Sequence, residues 1–256
     1  MVKGVAIKFS SYGETIPKLL NLIKFDKELK KHDKIVLKPS LIEGEKEKST
    51  KAEFVEQILK FCAENKNPGT EIFIAEGCDG ADTENIFDKF GYRELSEKYG
   101  VGLIDLNHSE TEVIERDDFL RFSDIYYPKI LKESFVISLP FLREDNELEM
   151  AGSLSNMIGA FPSSKYTGFF SSNKNKIRKW PMKYAIHDIL KCKMPEFSII
   201  DASSKGGILA GQPLEMDKQA AKALKHDWKQ IGHLKLVDEG FHEKDKDKKV
   251  DELEEL

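Results

Sequence analysis

The stretch Phe135-Val-Ile-Ser-Leu139 is a nearly unbroken apolar run with β-branched residues, closed by Pro140. Such a run suits a strand covered on both faces, and proline cannot donate to a ladder, so the strand is expected to end there. The chain then leaves the sheet through Phe141-Leu-Arg-Glu-Asp145 and returns through Gly152–Pro162, with Ser153, Ser155, Asn156 and Gly159. Open α/β sheets place ligand sites beyond the carboxyl ends of their strands. Arg143, Glu144 and Asp145 are therefore expected where a site would lie.

Other runs repeat the pattern. Val5–Phe9, Lys34–Pro39, Glu71–Glu76, Val101–Leu106 and Phe197–Asp201 read as strands. Between them Ile16, Leu19, Leu20 and Ile23, then Phe54, Val55, Ile58, Leu59, Phe61 and Cys62, recur with helical spacing. Thr50 and Glu53 have the spacing of a capping box, and a further helix is expected to start near Asp82 or Thr83. Tyr92–Tyr99 and Tyr184–Leu190 read as helical, with short helices at Lys218–Leu224 and Lys229–Val237. Thr111–Ile114 and Ile125–Tyr127 suggest a small antiparallel excursion. The rhythm predicts an α/β fold: a mostly parallel sheet with helices on both faces, in a Rossmann-like three-layer arrangement. Strands 34–39, 71–76, 102–106, 135–139 and 197–201 should share one sheet, their carboxyl ends converging on one edge. Residues 1–238 are expected to form a single domain, and 239–256, charge-dense and free of aromatics, a solvated tail.

Composition narrows the function classes. With 40% hydrophobic and 33% charged residues, and no apolar run near the roughly 20 residues that span a bilayer, a cytoplasmic chain without a membrane partner is expected. The N-terminal MVKGVAIKFSS lacks a signal-peptide pattern. Cys62, Cys78 and Cys192 are far apart, so neither a disulfide framework nor a metal cluster is suggested. No GxGxxG or GxxxxGK[ST] follows a strand, which leaves nucleotide binding weakly signalled. His226 and His233 form no ligand motif. Cys78, at a strand tip, lacks an identifiable base and reads as an idle thiol.

Strand-tip residues supply the candidate site. Lys38 could neutralise a phosphate or carboxylate together with Arg143 and Lys205, while Ser40 and Asn156 orient it. Glu76, with Asp79 nearby, is the candidate base or metal ligand. Ser203-Ser-Lys-Gly-Gly207 could cradle an anion through backbone N–H groups. A second anomaly is the absence of Asp and Glu from Met150 to His187. Lys165, Lys174, Lys176, Arg178, Lys179 and Lys183 lie there among Tyr166, Phe169, Phe170 and Trp180. A mobile flap over an anion is the favoured reading, with stacking on single-stranded nucleic acid the alternative.

Several segments together resemble domain-of-unknown-function family 362, a prokaryotic group: VLKPSL (Val36–Leu41), IAEG (Ile74–Gly77), Gly91–Asn107, VISLP (Val136–Pro140), SNMIGAFP (Ser155–Pro162), IIDA (Ile199–Ala202) and Gly211–Ala220. The resemblance spans about residues 34–238 and implies an α/β fold. Some relatives carry added iron–sulfur modules, but without ferredoxin-type cysteine spacing no cluster is expected here. Two departures stand out: Arg143-Glu144-Asp145 replaces the family's usual Lys-Thr-His triplet, and Ser155-Asn156 its Lys-Asn. The resemblance implies no settled reaction; if typical members are enzymes, these departures imply altered or lost chemistry, leaving an enzyme and a non-catalytic binding or assembly protein both open.

Overall fold

The computed structural model describes residues 4–241. The strands are β1 (Val5–Lys8), β2 (Lys34–Pro39), β3 (Glu71–Glu76), β4 (Gly102–Asp105), β5 (Thr111–Glu115), β6 (Asp124–Pro128), β7 (Phe135–Leu139), β8 (Arg143–Asp145), β9 (Glu149–Ala151), β10 (Phe197–Ala202) and β11 (Gly207–Gly211). The helices are α1 (Tyr12–Leu22), α2 (Asp26–Leu29), α3 (Ala52–Asn65), α4 (Thr83–Phe90), α5 (Tyr92–Tyr99), α6 (Lys129–Glu133), α7 (Ser163–Tyr166), α8 (Met182–Cys192) and α9 (Pro213–Ala223). A further helical segment covers 232–241.

One seven-stranded sheet runs β1-β11-β10-β7-β2-β3-β4. β10, β7, β2, β3 and β4 pair in parallel, as expected from the buried runs, whereas β11 and β1 add an antiparallel edge. β5 and β6 form the anticipated hairpin, and β8 and β9 a second one just after β7.

The alternation of strand side chains sorts the core into two layers. Ile35, Leu37, Ile72, Ile74, Phe135, Ile137 and Leu139 face α1, α3, α4 and α5. Val36, Val136, Ile200 and Leu209 face the opposite way, onto α6, α8, α9 and the 3-10 segment Ser155–Ala160. The same period puts Ser138 and Ser198, both buried, on that second face beneath the returning 152–156 chain.

Three local expectations need correction. Thr50 does not cap α3; Lys51 occupies the cap position with no side-chain bond. The Thr50 hydroxyl instead donates to Leu139 O (2.6 Å) and accepts from Ser40 N–H (2.9 Å), tying the tips of β2 and β7 together. Ser203–Lys205 is a turn leading directly into β11, whose glycine-bordered sequence reads as loop until its two partner strands are present. At the C-terminal end, α9 starts earlier than expected, and the last helix covers 232–241 in place of Lys229–Val237. The tail from 242 lies outside the described residues.

Candidate functional site

The tips of β2 and β3 carry the most buried charge pair in the sheet. Lys38 is 0% exposed, and its ammonium lies 3.1 and 3.0 Å from the two oxygens of Glu76 and 3.0 Å from Asn156 Oδ1. Gly77 N–H donates to Glu76 Oε1 at 2.7 Å. The Asn156 amide donates back to Lys38 O (2.9 Å) and to Ser138 Oγ (3.0 Å). Both ions are thus paired and hydrogen-bonded, the condition under which buried charge is tolerated. A Cβ on Gly159 would sit 2.2 Å from Glu76 Oε1 and 2.6 Å from Lys38 Nζ, so only glycine lets the 155–160 segment close over the pair.

That segment is held from below. Asp217 of α9, fully buried, accepts the N–H groups of Ser153 (2.7 Å) and Leu154 (2.9 Å). Burial pushes its carboxyl up to about 6 despite those bonds. Ser153 Oγ also contacts Ser198 Oγ, and Ser138 Oγ donates to Ser153 O at 3.1 Å, so the polar strip on the second sheet face anchors the return chain.

Above the pair opens a cavity of about 240 Å³. Its walls include Ser40, Glu76, Asp79, Arg143, Asp145, Glu147, Ser155, Asn156, Gly159 and Arg178. Arg143 Nη1 is paired with Asp145. Burial raises the Asp145 carboxyl, but the guanidinium and the N–H groups of Glu147 and Leu148 outweigh it and leave the group below its ordinary value. Arg178 Nη1 lies 2.6 Å from Asp79 Oδ2, and its Nε 3.6 Å from Glu147. Every carboxylate of the wall therefore already has a cationic neighbour.

The acid-free segment is partly anchored rather than mobile throughout. Lys174 N–H donates to Asp79 Oδ1 (2.7 Å), and its buried ammonium donates to Gly77 O (2.7 Å) and Gly159 O (3.4 Å). Burial without a carboxylate in contact pulls this ammonium down to about 8. Lys174 thus pins 167–180 to the two glycine loops bordering the cavity. Tyr166, Ile177 and Met182 pack in the core, while Phe169 and Phe170 are exposed.

Of the residues nominated from sequence, Ser40, Glu76, Arg143 and Asn156 line one cavity and Lys38 lies beneath its floor. Lys205 is exposed on the turn after β10 and is not part of the wall. Cys78 is buried, and desolvation pushes its thiol up to about 12, against a nucleophilic role. Among the described residues no group of three or more His, Cys, Asp or Glu side chains could hold a metal ion. Lys174 and Arg178 were foreseen only as members of the basic segment, and Asp217 had no foreseen role, because their partners Asp79, Glu147 and Ser153 are distant in sequence. Asp217 sits in a segment quoted for the family resemblance, which was its one available signal.

Fold and site together define an α/β protein with a small polar cavity at the carboxyl edge of a mostly parallel sheet. Residues 35–220 match the family described as Domain of unknown function (DUF362), and the chain belongs to that family. The match runs from β2 into α9, so it includes every cavity-lining residue and Asp217. Comparison with curated proteins finds no match. The two segments singled out in the sequence, 143–145 and 155–156, contribute Arg143, Asp145, Ser155 and Asn156 to the cavity wall.

Proposed function

We propose that this chain binds a small ligand bearing a phosphate or carboxylate in the cavity above Lys38 and Glu76. The observation that carries the reading is the convergence of two guanidinium groups, Arg143 from the β8–β9 hairpin and Arg178 from the pinned segment, on one small cavity. A guanidinium has five N–H donors in a fixed fork. Pairing with Asp145 uses Arg143 Nη1 and leaves donors for an anion. Ser40, Ser155 and Asn156 would orient the ligand. Where the family pattern has a lysine, Ser155 stands, and Arg178 would supply the second positive charge.

Glu76 is the group available for proton transfer, but both of its oxygens are already engaged by Lys38. Binding without turnover is therefore the reading the geometry favours. Calorimetric titration with inorganic phosphate and with simple dicarboxylates tests it. Arg143→Ala and Arg178→Ala should each weaken binding by about 1–3 kcal/mol, the loss typical of a charge-assisted hydrogen bond. Affinity unchanged in both variants would refute the site. Turnover abolished in Glu76→Gln with binding retained would establish catalysis instead.

A further inference from the structure

Phe169 and Phe170 are 96% and 97% exposed, at the tip of the loop between α7 and the 3-10 turn Asn175–Lys179. Each phenylalanine left in water forgoes about 1.5–3 kcal/mol of burial. The tip is nevertheless built: Gly168 N–H donates to Asn175 Oδ1 at 2.7 Å, and Asn173 N–H to Ser171 Oγ at 3.0 Å. Its base is fixed by the Lys174–Asp79 bond. The same segment carries Lys165, Lys176, Lys179 and Lys183, for which no ion pair occurs among the described residues. Lys174 and Arg178 are committed to the protein's interior and its cavity wall.

We propose that this loop tip is a contact for an anionic lipid surface, with Phe169 and Phe170 entering the interface and the exposed Lys165, Lys176 and Lys179 facing the headgroups. The proposal is independent of the cavity's ligand. Lys176 donates to Lys165 O at 2.8 Å and Lys165 lies over the Tyr126 ring, but neither contact neutralises the charge. Lysines without a carboxylate partner among the described residues, beside projecting aromatics, match the two attractions of peripheral membrane binding, apolar insertion and headgroup electrostatics. The expectation of no membrane partner rested on the lack of a spanning segment, and surface contact needs none. Nucleic acid fits the geometry less well. The two rings stand edge-to-face at 80° with centroids 5.0 Å apart, a wedge rather than two stacking platforms.

Vesicle sedimentation of the full chain tests this, with phosphatidylcholine alone and with phosphatidylcholine mixed equally with phosphatidylglycerol. Binding should require the mixed vesicles and fall with added salt. Replacing both Phe169 and Phe170 by Ser should abolish it, and Lys176→Ala and Lys179→Ala should each weaken it about fivefold. These residues are exposed, so unchanged melting of each variant serves as the control for folding. Failure to bind mixed vesicles, or binding that survives loss of both phenylalanines, overturns the proposal. Tighter binding of single-stranded oligothymidylate that depends on the same two phenylalanines would overturn it in favour of nucleic acid.

Discussion

Among single residues, Lys38 and Glu76 form the buried ion pair beneath the cavity. Removing one member of a buried, hydrogen-bonded ion pair strands the other, at a cost of about 3–5 kcal/mol. Lys38→Met should therefore lower stability to urea by that order. Glu76→Gln should cost less, since the amide oxygen can still accept from Lys38 and Gly77. Equal losses would show that charge, not hydrogen bonding, dominates the pair. Asp145 gives a test of opposite sign. It competes with any anionic ligand for Arg143, so Asp145→Asn should tighten phosphate binding measured by calorimetry. Weaker binding would mean that Asp145 itself contacts the ligand. Lys38 and Glu76 were legible in the sequence because each ends a buried run, where strand period and sheet edge fix their position. Arg178 was not, since its partners Asp79 and Glu147 meet it only after the 167–180 segment folds back across the sheet edge.

At the scale of elements, Thr50 and Gly159 hold the site's frame. Thr50→Val keeps the shape but removes a buried hydroxyl bridging Ser40 N–H and Leu139 O. A loss of about 1–3 kcal/mol in denaturant midpoint analysis is expected, as for other buried groups left unsatisfied. No loss would mean that water replaces the bridge. The five parallel strands were readable as apolar runs with turn signals at their ends. β11 was not: Gly206-Gly207 reads as a turn, and its strand character comes from β1 and β10 on either side. The capping-box spacing at Thr50 and Glu53 misled for a related reason, because a tertiary acceptor, Leu139 O, claimed the hydroxyl that a local cap would have used.

At the scale of the whole molecule, two buried groups make stability depend on pH in opposite senses. Burial pulls His233 from 6.5 down to about 4, so between these values the unfolded chain binds the extra proton and stability falls as pH drops. Burial pushes Asp217 from 3.8 up to about 6, so there the folded chain binds the extra proton and stability rises as pH drops. Over the shared window the two offset. Melting temperatures across pH 4–6 should decline more steeply with falling pH in Asp217→Asn than in the parent, and less steeply in His233→Leu. Parallel profiles for all three proteins would show that neither group titrates as its burial implies.

The proposed anion would occupy one cavity, between the β8–β9 hairpin and the pinned 174–178 segment. An anomalous difference map from crystals grown with selenate addresses it most directly. A peak is expected within hydrogen-bonding distance of both Arg143 and Arg178, and it should disappear in the Arg143→Ala protein. A cavity without a peak, in crystals where selenate occupies other sites, would contradict it.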